Sequence, residues 1–213
     1  MSVAVKICGL STAETVEAAL AHGADFIGLN FYRPSPRYVS LAEAGALAEL
    51  ARGRTRIVAL AVDGDDAFLD AIATQVGPDY FQLHGSETPA RVAAVAALTG
   101  KPVIKAIRVG GAEDVAMAAG YIDVAEFLLF DAKAPASLRN ALPGGNGIAF
   151  DWSLLEGRHG FMLSGGLNAD NVADAIRATG AAMVDASSGI ERAPGVKDPE
   201  LIRKFIERAK SAR

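Results

Sequence analysis

The chain has 213 residues, 51% hydrophobic and 22% charged, with a net charge of −4; this suits a packed core of one or two domains and argues against disorder, nucleic acid or an anionic membrane as partner. A single cysteine rules out an internal disulfide framework and fits a reducing compartment. No signal-peptide pattern opens the chain and no apolar run approaches the ~18 residues of a membrane span, so a soluble cytoplasmic protein is expected.

Val5-Lys6-Ile7-Cys8-Gly9 is a short, mostly β-branched run that ends in the only cysteine and a glycine, just before the capping signal Ser11-Thr12-Ala13-Glu14. Helical spacing follows from Thr12 to Ala21, stopped by Gly23. Asp25 to Phe31 is nearly all apolar, as in a strand buried on both faces of a parallel sheet. Two prolines then break Tyr32 to Tyr38 into a loop, and Ser40-Leu41-Ala42-Glu43 caps a second helix reaching about Arg52. A third unit pairs a strand at Arg56 to Val62 with a helix at Asp65 to Val76, and a fourth pairs Tyr80 to Gly85 with Pro89 to Leu98. The fifth strand is Pro102 to Val109, followed by a weak helical pattern from Glu113 to Ala119. The sixth, Glu126 to Phe130, delivers Asp131 and leads into a glycine-rich loop and a short helical piece at Trp152 to Leu155. Phe161 to Gly166 and Met183 to Gly189 are the last two strands, with helices predicted at Asn168 to Ala178 and Asp198 to Lys210.

Eight apolar strands alternating with helices predict an α/β fold, a parallel sheet closed into a single (β/α)8 barrel domain over residues 1–213. The rival is an open doubly wound sheet with its ligand at a strand-order reversal.

In a barrel the carboxyl ends of the strands share one mouth. Those ends carry Cys8, Asn30 with Arg37 in the next loop, Asp63, Gln82, His84, Arg108, Asp131, Ser164 and Asp185, while strand interiors read as apolar. Ser164-Gly165-Gly166 runs directly into a helix, and Ser187-Ser188-Gly189 follows the eighth strand. Glycines let backbone N–H groups approach an anion and serines add hydroxyl donors, so these two adjacent loops are the candidate phosphate site. The competing reading is that the glycines only make tight turns.

Cys8 and Asp131 are the candidate proton-transfer pair. A modest depression of the ordinary thiol pKa makes Cys8 a base near neutrality, and the apolar approach Phe127 to Phe130 favours a protonated Asp131. His84 reads as a hydrogen-bonded structural histidine, and three histidines without ligand spacing speak against a metal site. The guanidinium of Arg37 suits a carboxylate, gripped by two parallel hydrogen bonds.

Val5-Lys6-Ile7-Cys8-Gly9, Ser35-Pro36-Arg37-Tyr38-Val39-Ser40, Gln82-Leu83-His84-Gly85, Leu129-Phe130-Asp131-Ala132-Lys133, Phe150-Asp151-Trp152, Leu163-Ser164-Gly165-Gly166-Leu167 and Val184-Asp185-Ala186-Ser187-Ser188-Gly189-Ile190-Glu191 together resemble the phosphoribosylanthranilate isomerases of tryptophan biosynthesis. The resemblance implies an Amadori rearrangement of a small phosphorylated substrate without metal or cofactor, by a monomer or homodimer. It implies Asp131 as the general acid that opens the ribose ring, Cys8 as the base that takes the C2′ proton, and Arg37 as the holder of the anthranilate carboxylate. Residues 134–148 match least, which bears on loop length and lid behaviour. Two alternatives are a sugar-phosphate isomerase of histidine biosynthesis, or a dual-substrate enzyme, for which two aspartates are usual, and a silent barrel that senses a phosphorylated metabolite.

Overall fold

The computed structural model describes residues 3–134 and 142–212. Eight parallel strands close into a barrel in sequence order: β1 (Ala4–Cys8), β2 (Phe26–Asn30), β3 (Arg56–Ala61), β4 (Tyr80–Leu83), β5 (Val103–Val109), β6 (Phe127–Ala132), β7 (Met162–Leu163) and β8 (Met183–Ala186). β8 returns to β1, with Ala4 beside Met183 and Ile7 beside Ala186, so the open-sheet alternative is excluded. The helices are α1 (Ala13–Ala21), α2 (Leu41–Ala51), α3 (Asp66–Gln75), α4 (Pro89–Thr99), α5 (Ala112–Met117), α6 (Val172–Thr179) and α7 (Pro199–Lys210). None of the described helices is long and apolar enough to cross a membrane.

Side chains alternate along each strand, and the alternation sorts two cores. Phe26, Val58, Ile104, Leu129 and Met162 fill the barrel interior, with Tyr80 and Phe127 edge-on or tilted against their neighbours. The other face, including Ile7, Ile27, Ile57 and Phe81, packs against the helices in a larger cluster. Local signals place several helices directly. Ser40 and Glu43 form the reciprocal cap of α2, with Glu43 N–H 3.3 Å from Ser40 Oγ and Ser40 N–H 2.8 Å from Glu43 Oε2. At α1 the cap is Thr12, whose hydroxyl accepts from the Thr15 N–H, so the predicted signal lies one residue further on.

Three expectations change. β6 extends through Asp131 to Ala132, so the candidate acid is held inside a strand and not in the loop after it. β7 shrinks to Met162–Leu163, because the two glycines that follow take positive φ and turn the chain out of the sheet. Ser164-Gly165-Gly166 does not run directly into a helix, since α6 starts at Val172. Residues 168–171 form a turn in which the Asn168 N–H donates to Asn171 Oδ1 and Asn171 Nδ2 to the Gly166 carbonyl. Between β6 and β7 the short helical piece expected at Trp152 to Leu155 is present as a 3₁₀ turn over those same residues; residues 135–141 of the least recognisable loop lie outside the described residues.

Strand interiors are not uniformly apolar either. Lys6 and Gln82 are completely buried within β1 and β4. A two-stranded hairpin not expected from the sequence, β9 (Glu191–Ala193) with β10 (Val196–Lys197), follows β8.

Candidate active site

Cys8 ends β1, and Lys6, two residues before it, projects from the same face. The Lys6 ammonium, without solvent exposure, donates to Asp185 Oδ1 at 2.8 Å, and Ser164 Oγ donates to Asp185 Oδ2 at 3.0 Å. A buried lysine is tolerated only when so paired. Asp185 thus uses each of its oxygens once inside the protein while still lining the cavity. Cys8 stands beside Gly28 of β2, where a Cβ would lie 2.8 Å from the thiol sulfur. The missing side chain is what gives the thiol its room.

The thiol pKa departs from expectation in sign. Burial pushes Cys8 above the ordinary thiol value. Lys6 and Lys197 pull it down, Asp185 pushes it further up, and the balance stays upward. Titrating thiolate absorbance of wild type minus a Cys8→Ala control should give a midpoint above the ordinary ~8.5. A midpoint below that value would mean that the lysines prevail over burial.

Asp131 projects from β6, and its Oδ1 accepts from the Ala132 N–H at 2.9 Å. Its Oδ2 lies 3.1 Å from His84 Nε2, but off the line a hydrogen bond requires, so that among the described residues Nε2 has no hydrogen-bond partner. The other ring nitrogen of His84 meets Gln82 Nε2 at 3.0 Å. The structural reading of His84 thus holds for one nitrogen, while the second faces the candidate acid. Backbone from the loop after β6 passes directly over this pair: a Cβ on Gly144 would meet Asp131 Oδ2 at 2.6 Å and His84 Nε2 at 2.8 Å.

Arg37 is built in from below. Asn30 at the end of β2 donates to Ser35 Oγ at 3.2 Å, and that oxygen accepts the Arg37 N–H at 3.2 Å, bracing the loop. The aliphatic part of Arg37 lies on Gly9, where a Cβ would come within 2.8 Å of Cδ. Arg37 is 4% exposed, and its guanidinium is not the free fork the sequence suggests. Nε and Nη2 donate to the two oxygens of Glu191 at 2.7 and 2.8 Å, and Nη2 also reaches the Gly145 carbonyl at 3.3 Å. Nη1 makes no hydrogen bond to the described residues, and Gly145 packs beside it, where a Cβ would stand 2.7 Å away.

At the phosphate candidate, Gly165 and Gly166 have φ of +92° and +63°. A Cβ at Gly166 would stand 2.7 Å from the Ile148 carbonyl carbon, and one at Gly189 only 2.0 Å from the Leu167 carbonyl oxygen. Tight packing alone therefore requires these glycines, as the competing reading held, and substituting them reports on the loop before it reports on an anion. Ser187 Oγ lies 3.2 Å from Lys197 Nζ, while Ser188 opens a short 3₁₀ turn beside the cavity.

Cys8, Asp131, Arg37, Ser164, Gly165, Gly166, Asp185, Ser187 and Ser188 all line one cavity of about 610 Å³, open space at its mouth included; of the expected set only Gly189 stands back from it. Arg108 and Asp63 lie outside its wall. Three partners were not singled out from sequence: Lys6, Glu191 and Lys197. A lysine two residues before Cys8 carried a signal through strand period, and Pro194-Gly195 marked the hairpin that brings in Glu191 and Lys197.

The family profile described as N-(5′phosphoribosyl)anthranilate (PRA) isomerase matches residues 5–208. The N-(5′-phosphoribosyl)anthranilate isomerase of Parvibaculum lavamentivorans is 54% identical over 215 aligned positions, covering 100% of both chains. A phosphoribosylanthranilate isomerase crystallised with reduced 1-(o-carboxyphenylamino)-1-deoxyribulose 5-phosphate superposes with a TM-score of 0.84 at 32% identity, with 98% of each chain covered. The monomers generated from the dimeric enzyme of Thermotoga maritima give 0.83 at 32% identity, again over 98% of each chain.

Proposed function

The chain belongs to the N-(5′-phosphoribosyl)anthranilate isomerase family, and from that membership we propose which of its residues carry the reaction. That reaction is the Amadori rearrangement of N-(5′-phosphoribosyl)anthranilate to 1-(2-carboxyphenylamino)-1-deoxyribulose 5-phosphate, by general acid–base catalysis, in tryptophan biosynthesis.

Asp131, as the protonated carboxyl, gives its proton to the ribose ring oxygen. The C1′–O bond breaks as the anilino nitrogen lone pair forms a C=N bond. Cys8, as thiolate, then takes the C2′ proton, and those electrons form C1′=C2′ and neutralise the nitrogen. A proton returns to C1′ as the C2′ hydroxyl becomes the ketone. Substrate and product are isomers, so the balance calls for no oxidant. Arg37 holds the anthranilate carboxylate through its remaining guanidinium edge, and the loops carrying Ser164, Gly165, Gly166, Ser187, Ser188 and Gly189 hold the phosphate at the other end, with Asp185 beneath them. We read residues 1–213 as one barrel domain acting in the cytoplasm, as a monomer or a homodimer.

The observation that supports these roles best is the burial of a thiol and a carboxyl, each 4% exposed, in the wall of one cavity between an arginine and two serine–glycine loops. The test is the loss of phosphoribosylanthranilate fluorescence on adding the protein, with and without a histidine-pathway substrate as competitor. Fluorescence should fall with the anthranilate compound alone and be little affected by the competitor. Fluorescence that stays constant would overturn the reading, and strong competition would favour a dual-substrate enzyme.

A further inference from the structure

Glu191 stands at the centre of a converging set of donors. Its Oε1 accepts from Arg37 Nε and from Lys197 Nζ, both at 2.7 Å, and its Oε2 from Arg37 Nη2 at 2.8 Å and the Gly195 N–H at 3.2 Å. The three charged side chains are 5% exposed or less. Burial pushes the Glu191 carboxyl up, yet the hydrogen bonds and charge of Arg37 and Lys197 outweigh it and leave the group below its ordinary value. Lys197 also donates to the Ser187 carbonyl at 2.9 Å, so the same ammonium ties the hairpin to the loop after β8. The hairpin turn presses on the opposite anchor as well: a Cβ on Gly195 would come within 2.4 Å of the Pro36 carbonyl oxygen.

We propose that Glu191 is a positioning residue that sets carboxylate selectivity, by occupying the side edge of the Arg37 guanidinium and turning its Nη1 end to the substrate. Guanidinium is planar, so fixing one edge on Glu191 fixes the direction of the other. Lys197 links that fixed plane to Ser187, and the two anion anchors of the substrate are held at a set separation. A substrate carrying phosphate and aryl carboxylate at that separation engages both. A phosphoribosyl compound without the carboxylate gains nothing from the Arg37–Glu191 unit. This inference rests on the reading of Arg37 as the carboxylate anchor, and its test separates the two.

KM and kcat are measured for wild type, Arg37→Ala, Glu191→Gln and the double variant. Each is assayed with the true substrate and with an analogue lacking the aryl carboxylate. With the true substrate, Glu191→Gln should raise KM by roughly 10- to 150-fold at nearly unchanged kcat, within the range of a charged hydrogen bond. On the analogue its KM should stay near wild type. In the double variant the rise should equal that of Arg37→Ala alone, because both substitutions remove one unit. Equal effects of Arg37→Ala on the two substrates would refute the anchor reading itself. A carboxylate-selective Arg37→Ala beside a Glu191→Gln that hits both substrates alike, or multiplies with Arg37→Ala, would refute the positioning role alone. Removing the charge leaves Arg37 and Lys197 buried without a counterion, which endangers folding. Glu191→Asp keeps the charge and displaces the fork, so it carries the same comparison and should show the same selectivity, to a smaller extent. A Glu191→Asp enzyme with wild-type KM on the true substrate would overturn the proposal.

Discussion

Replacing Cys8 with serine should leave the barrel folded and lower kcat by roughly 10²–10⁴, the usual worth of a positioned acid or base. Serine is similar in volume to cysteine and fits the space beside Gly28, where a Cβ would come within 2.8 Å of the sulfur. A hydroxyl is a far weaker acid than a thiol, so the serine enzyme has no ionised base to offer at any practical pH. Circular dichroism should match wild type, and a serine variant within a few-fold of wild-type kcat would remove Cys8 from the mechanism. The raised thiol pKa makes the thiolate, once formed, a stronger base than an ordinary one.

Asp131→Asn should produce a comparable fall in kcat while KM stays within a few-fold. The amide keeps the shape of the carboxyl but has no proton acidic enough to give to the ring oxygen, and the role is exercised in the transition state. One local adjustment accompanies it. Oδ1 accepts from the Ala132 N–H, and the asparagine oxygen can preserve that bond with its NH₂ turned toward His84. If KM rose steeply at constant kcat, Asp131 would be a binding group. Steady-state kinetics on the purified variant decides between the two.

How far the sequence anticipated this site differs from one residue to the next. Apolar strand runs such as Phe26–Asn30 and the cap of α2 were legible because they are set by local burial and backbone donors, which neighbouring residues dictate. The positions of Cys8 and Asp131 in one mouth followed from strand order alone, since barrel closure brings distant strand ends together. Three things were not legible. The length of β7 depends on where two glycines turn the chain, and a run of apolar residues before them looks the same either way. The sign of the Cys8 shift depends on a contest between burial and two lysines, one of them 189 positions away on the hairpin (197 − 8). The pairing of Asp185 with Lys6 and of Arg37 with Glu191 joins residues of distant strands and loops, which no local pattern reveals.

The assignment of base and acid to Cys8 and Asp131 is tested most directly by a crossed isotope measurement. Single-turnover rates are compared for substrate carrying hydrogen or deuterium at C2′, in Cys8→Ser and in Asp131→Asn. Without the base, removal of the C2′ proton becomes the slow step, so Cys8→Ser should turn over the deuterated substrate distinctly more slowly. Without the acid, ring opening becomes the slow step, and Asp131→Asn should treat both substrates alike. An isotope effect in Asp131→Asn with none in Cys8→Ser would contradict the assignment.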